Sequence, residues 1–147
     1  MRVNITDSYK WLKRTNKKME EKKKIFIVDD DAFLLSMYSM KFEKNGFETK
    51  MAANGADALE ILRAGYKPDV LIMDLIMPVM DGFTMYESIK KENLAPGALA
   101  VMLTNQGTVS DINRAKELNI NGFIVKATTI PSEVVEEVKT LLNKTKK

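Results

Sequence analysis

The sequence contains no cysteine and no histidine among its 147 residues. The first absence excludes disulfides and thiolate nucleophiles. The two together exclude Cys/His zinc sites and every Ser-His-Asp or Cys-His catalytic pair. Any chemistry must therefore run mainly on carboxylates, hydroxyls and lysines. Also missing is an apolar run near the ~20 residues that span a bilayer, and the N-terminus lacks the apolar stretch of a secretory signal. The expectation is a cytoplasmic chain with no membrane span. With 45% hydrophobic and 29% charged residues, its length suits one globular domain around a single core.

Excess basic charge is confined to one end. Residues 1–24 hold nine Lys/Arg against Asp7, Glu20 and Glu21, whereas the remaining 14 basic residues are outnumbered by 17 acidic ones, within a net charge of +3. Residues 1–24 are thus expected to form a basic, flexible N-terminal extension, and residues 25–147 the folded domain. The positive charge belongs to that extension, so direct nucleic-acid binding by the folded domain is not expected. The extension itself could steer the chain toward an anionic partner.

From Ile25 onward the hydrophobic period alternates between strand-like and helix-like, the pattern of a β/α protein with a parallel sheet. Strands are expected at Ile25–Val28, Phe47–Met51, Val70–Met73, Ala98–Leu103 and Phe123–Val125. Four of these are solid apolar runs, as strands covered on both faces would be, while Phe47–Met51 alternates and reads as more exposed. Helices are expected over 31–45, 56–64, 83–91, 109–118 and from Pro131 onward. The first would place Leu34, Met37, Tyr38 and Phe42 on one face and stop at Asn45-Gly46. The last would set Val134, Val135, Val138, Leu141 and Leu142 against the sheet.

In an open parallel sheet, functional groups collect beyond the carboxyl ends of the strands, where strand order reverses. The residues at those ends are Asp29, Asp30, Asp74, Thr104 and Lys126. Carboxylates gathered this closely repel unless a cation joins them, and an all-oxygen set suits a hard ion such as Mg²⁺. With a metal present, a spare carboxylate oxygen can attack phosphorus while Lys126 and Thr104 offset charge on the phosphoryl oxygens, giving an aspartyl phosphate. Asp74 stands alone at its strand end and is the best nucleophile. Asp29 and Asp30 are adjacent and better placed to hold metal. Asp31 is expected to cap the first helix, Pro78 and Gly82 to shape the loop after Asp74, and the ten methionines mainly to fill core.

These residues carry a resemblance to the receiver domains of two-component response regulators. It rests on Val28-Asp29-Asp30, on Met73-Asp74-Leu75-Ile76-Met77-Pro78-Val79-Met80-Asp81-Gly82, on Thr104, and on Lys126 after Gly122-Phe123-Ile124-Val125, and it covers about residues 24–143. The resemblance implies a doubly wound five-stranded parallel sheet of flavodoxin-like order 2-1-3-4-5 with five helices, much like a single-domain chemotaxis regulator. It implies that Asp74 accepts the phosphoryl group and that Asp30 ligates Mg²⁺ with it. Asp29 would hold the ion mainly through water, and the main-chain carbonyl of Ile76 would complete the protein ligands. Lys126 would contact the phosphoryl oxygens. Thr104 would move to bond the phosphoryl group and the ring of Phe123 would change rotamer, altering the face of the fourth helix, fifth strand and fifth helix toward a downstream protein target. The donor would be a phosphohistidine on a histidine kinase or histidine phosphotransfer protein. Such a chain is a switch rather than a turnover enzyme.

The sequence departs from the commonest pattern of that family at four places. Ala127 follows Lys126 where proline is usual, Phe123 replaces a frequent tyrosine, Asn105 follows Thr104 where a smaller residue is common, and Ile76 with Gln106 flanks the path of attacking water. Competing readings are a receiver half of a larger DNA-binding regulator or hybrid kinase, and a Mg²⁺-dependent aspartyl-phosphate phosphatase. The second meets an obstacle: the Asp-x-Asp motif of such phosphatases is missing at Asp74, since Ile76 stands two residues after it. A flavodoxin-like electron carrier would need a phosphate-cradling loop where Asp29-Asp30-Asp31 would repel the phosphate.

Overall fold

A computed structural model describes residues 22–145. Five strands, β1 (Lys24–Val28), β2 (Glu48–Ala52), β3 (Val70–Met73), β4 (Leu99–Thr104) and β5 (Gly122–Val125), alternate with five helices. These are α1 (Ala32–Lys44), α2 (Gly55–Arg63), α3 (Gly82–Lys91), α4 (Val109–Glu117) and α5 (Pro131–Lys144), with a 3₁₀ turn at Lys126–Thr128 before the last. All strand pairs are parallel, in the order β2-β1-β3-β4-β5. The sheet is the expected doubly wound, flavodoxin-like one. The expected basic extension falls almost wholly on residues 1–21, outside the described residues, and Lys24 is already the first residue of β1.

The solid apolar strands have two buried faces because successive side chains point to opposite sides. Phe26, Val28, Leu71, Met73, Ala100 and Met102 face one layer with Leu59 and Leu62 of α2, Phe83 and Ile89 of α3, and Ala115 of α4. Ile25, Ile27, Val70, Ile72, Leu99, Val101 and Leu103 face the other, with Leu35, Tyr38 and Phe42 of α1 and Val134, Val135 and Val138 of α5. Strand β2 is an edge, and most of it is exposed.

Two sequence expectations need correction. The buried stripe of α1 is Leu35, Tyr38, Ser39 and Phe42, and Leu34 and Met37 flank it only partly buried. A stripe centred one residue later is equally consistent with the 3.6-residue period, so register against the sheet had to decide. Strand β4 also runs through Thr104, so that residue ends the strand rather than following it. The capping reading holds: Asp31 Oδ1 accepts from the N–H groups of Phe33 and Leu34 at 3.0 and 3.2 Å.

Candidate functional site

The register of the parallel sheet brings four strand ends to one rim. Val28 lies beside Met73, Met73 beside Met102, and Thr104 beside Val125. Asp29 and Asp74 therefore leave β1 and β3 side by side, while Thr104 ends β4 and Lys126 opens the turn after β5. The ladder fixes the backbone of both acids, since Asp74 N–H bonds Val28 O at 2.9 Å and Asp29 N–H bonds Ala52 O at 3.2 Å. The chain after Asp74 folds back on itself through a 2.8 Å bond from Gly82 N–H to Leu75 O. A Cβ at position 82 would overlap the main-chain oxygen of Asp74, so this turn requires glycine. Asp81 then caps α3, its Oδ1 accepting from Thr84 N–H at 2.8 Å.

These segments enclose an open cleft of about 410 Å³ lined by Asp29, Asp30, Asp31, Leu34, Asp74, Ile76, Thr104, Asn105, Gln106 and Lys126. Five strand-end residues expected to meet do meet, and Ile76 lines the cleft beside them. Phe123 does not line the cleft. Its ring is partly buried against the layer of α2 to α4 and lies close to Gly107, where a Cβ would come within 2.8 Å of a ring carbon.

Charge is dense here. Lys126 Nζ donates to Asp29 Oδ2 at 2.6 Å and to Asp74 Oδ2 at 3.3 Å, and the three side chains are only 4 to 9% exposed. The second oxygen of Asp29 accepts from Asp31 N–H at 2.9 Å. Burial pushes the Asp74 carboxyl above its ordinary range; the Lys126 charge pulls it back, Asp29 adds to the rise, and the Lys126 and Ile76 N–H bonds offset part of it. Burial alone would lower the Lys126 pKa. The Asp29 hydrogen bond and the charges of Asp74 and Asp29 outweigh that and raise it. Tyr38, which sequence reasoning took only as core, lies near enough for Lys126 and Asp29 to influence its phenol, whose pKa burial raises.

Two observations bear on what the cleft can hold. Asp29, Asp30 and Asp74 each offer an oxygen within 4.8 Å of the others', two of the residues buried and Asp30 exposed. Thr104, 1% exposed, has a hydroxyl with no hydrogen-bond partner. The phenol of Tyr66 is likewise without a partner, but Thr104 lines the cleft, where its hydroxyl is available to a polar group held there. An all-oxygen acidic set fits Mg²⁺, which takes one or two carboxylates and keeps waters, so the donors suit that ion.

A family model for the response regulator receiver domain matches residues 25–139. A probable transcriptional regulator ycf27 of Guillardia theta is 31% identical over 129 residues, 88% of this chain and 49% of that protein. The Regulator of RpoS of Escherichia coli K12 is 34% identical over 104 residues, 71% of this chain and 30% of that one. This chain thus spans half or less of the length of these relatives. Among solved structures, the chemotaxis response regulator CheY4 of Vibrio cholerae superposes with a TM-score of 0.74 at 26% identity, covering 82% of this chain and 98% of that one. A CheY-like receiver domain from Methanospirillum hungatei JF-1 has the same fold, with a TM-score of 0.77 at 24% identity over 84% of this chain and 96% of that one. No helix among the described residues is long and apolar enough to cross a membrane. Matched over most of its length and folded as those domains are, the chain belongs to the response regulator receiver domain family.

Proposed function

We propose that this receiver takes a phosphoryl group onto Asp74 from a phosphohistidine on a histidine kinase or histidine phosphotransfer protein, as a cytoplasmic signalling switch rather than a turnover enzyme. The observation that carries this reading is the placement of Asp74, buried, beside two further carboxylates and 3.3 Å from the Lys126 ammonium. An oxygen of Asp74 forms the new bond to phosphorus as the phosphorus–nitrogen bond of the donor breaks, and the departing imidazole takes up a proton. Lys126 holds positive charge beside the incoming phosphoryl oxygens. The orphaned hydroxyl of Thr104 turns to donate to one of them, and the Phe123 ring moves in response, changing the face of α4, β5 and α5 offered to a protein target.

Asp29, Asp30, Asp74 and the main-chain carbonyl of Ile76 would hold Mg²⁺, with Asp29 acting mainly through water. The bound ion would neutralise carboxylate and phosphoryl charge together. Incubation with Mg²⁺ and acetyl phosphate, followed by intact mass measurement, tests the reading. One alkali-labile phosphoryl adduct on the wild type and none on Asp74→Asn is expected; an adduct on both, or on neither, overturns it. A second reading, that the domain serves a larger DNA-binding regulator, is favoured by relatives such as the RpaA regulator of Synechocystis, named a DNA-binding transcriptional regulator, of which it covers 50%.

A further inference from the structure

The geometry points to Thr129 as the residue that positions Lys126, through a hydroxyl bond closing the turn from which Lys126 projects. Strand β5 stops at Val125, and Lys126 opens a three-residue 3₁₀ turn whose N-cap position, Val125, has no side-chain cap. So short a turn has little stability of its own, because one or two bonds must hold several backbone dihedrals. Its backbone closure is weak, with Thr129 N–H reaching Lys126 O at 3.3 Å. The shorter bond comes from a side chain: Thr129 Oγ1 donates to Val125 O at 2.8 Å, while Thr128 Oγ1 reaches the same carbonyl at 3.3 Å. The far end of the loop is tied separately, where Ile130 N–H donates to Glu133 Oε1 at 3.2 Å. The segment carrying Lys126 is thus pinned at both ends by side chains.

The pin matters because the carboxylates cannot anchor Lys126 in every state. Lys126 Nζ is bonded to Asp29 and Asp74, oxygens that would also serve a cation or take the phosphoryl group. A long side chain held by its partners alone would follow them when they turn away. One that leaves a closed turn keeps its origin, and its ammonium stays over the site. This role rests on the phosphoacceptor reading for its purpose, though not for its geometry.

Two measurements separate the inference from that reading. The first needs neither metal nor phosphodonor: reductive methylation of the intact protein, with Lys126 modification followed by peptide mass. Wild-type Lys126 should label slowly. Thr129→Val should raise its rate by about fivefold, the scale of one lost hydrogen bond. Thr129→Ser should restore slow labelling, and Thr128→Val should have the smaller effect. Labelling unchanged by Thr129→Val, or raised equally by Thr129→Ser, overturns the inference, as does a rise shared by lysines elsewhere in the fold. The second is the rate of adduct formation from acetyl phosphate, which should fall in Thr129→Val and recover in Thr129→Ser. A wild type that labels as expected but never accepts phosphate would sink the proposed function and leave the positioning intact.

Discussion

The ammonium of Lys126 stands 2.6 Å from Asp29 Oδ2 across 97 residues of chain, nearer than the 3.3 Å that separates it from Asp74 Oδ2. With all three side chains nearly excluded from water, the lysine neutralises two acids at once. Replacing it with methionine leaves both carboxylates buried without a counter-charge, a change that costs about 3 kcal/mol. Urea unfolding of Lys126→Met in chelator should show that loss. A midpoint equal to the wild type would mean the acids are solvated rather than paired.

Asp74 predicts a variant that is more stable than the wild type. Burial raises its pKa above the ordinary 3.8, so its ionised form destabilises the fold at neutral pH. That penalty is present in full above the raised value and fades as the pH falls toward the ordinary one. Asp74→Asn removes the penalty and leaves the Lys126–Asp29 pair in place. It should unfold at higher urea at pH 7 in metal-free buffer, with the gap closing toward pH 4. A gap that widens on acidification would contradict this sign.

Magnesium should stabilise the fold by binding it and not the unfolded chain. At about 100 times its dissociation constant the gain is about 2.7 kcal/mol, and EDTA should reverse it. Asp30 is exposed and joins no ion pair among the described residues. Asp30→Ala should therefore leave metal-free stability nearly unchanged while removing most of the Mg²⁺ gain in thermal melts. A full gain in that variant would take Asp30 out of the ligand set.

Ile76 is 65% exposed at the edge of the cleft, where it would shield the acyl phosphate from water. Ile76→Asn should shorten the phosphorylated lifetime several-fold with little change in unfolding midpoint. The decay of the mass adduct after removal of phosphodonor measures it. No faster loss would assign the lifetime to other residues.

Gly82 offers a purely steric test. Alanine in a helix normally gains about 1 kcal/mol over glycine. Here its Cβ would overlap the Asp74 main-chain oxygen and approach Leu75 Cα at 3.1 Å, displacing the strand end that presents Asp74. Gly82→Ala should lose about 2 kcal/mol in urea unfolding and slow phosphorylation. A stabilised variant would show that the loop yields freely.

The sequence by itself determined the order of elements, both faces of the sheet and the identity of the strand-end residues. Ile25–Val28 and Val70–Met73 are apolar without interruption because helices cover them on both sides, and each run stops at a carboxylate. These are local consequences of a two-residue period and of solvation, so they can be read along the chain. Which residue of α1 enters the core was not local: Leu34 and Leu35 satisfy the helical period alike, and packing into the layer shared with α5 left Leu35 buried and Leu34 only partly so. Nor was the pairing of Lys126 with Asp29, the burial that raises Asp74, the orphaned hydroxyl of Thr104, or the bond from Thr129 to Val125. Each depends on distance and desolvation between segments that only the closed sheet brings together.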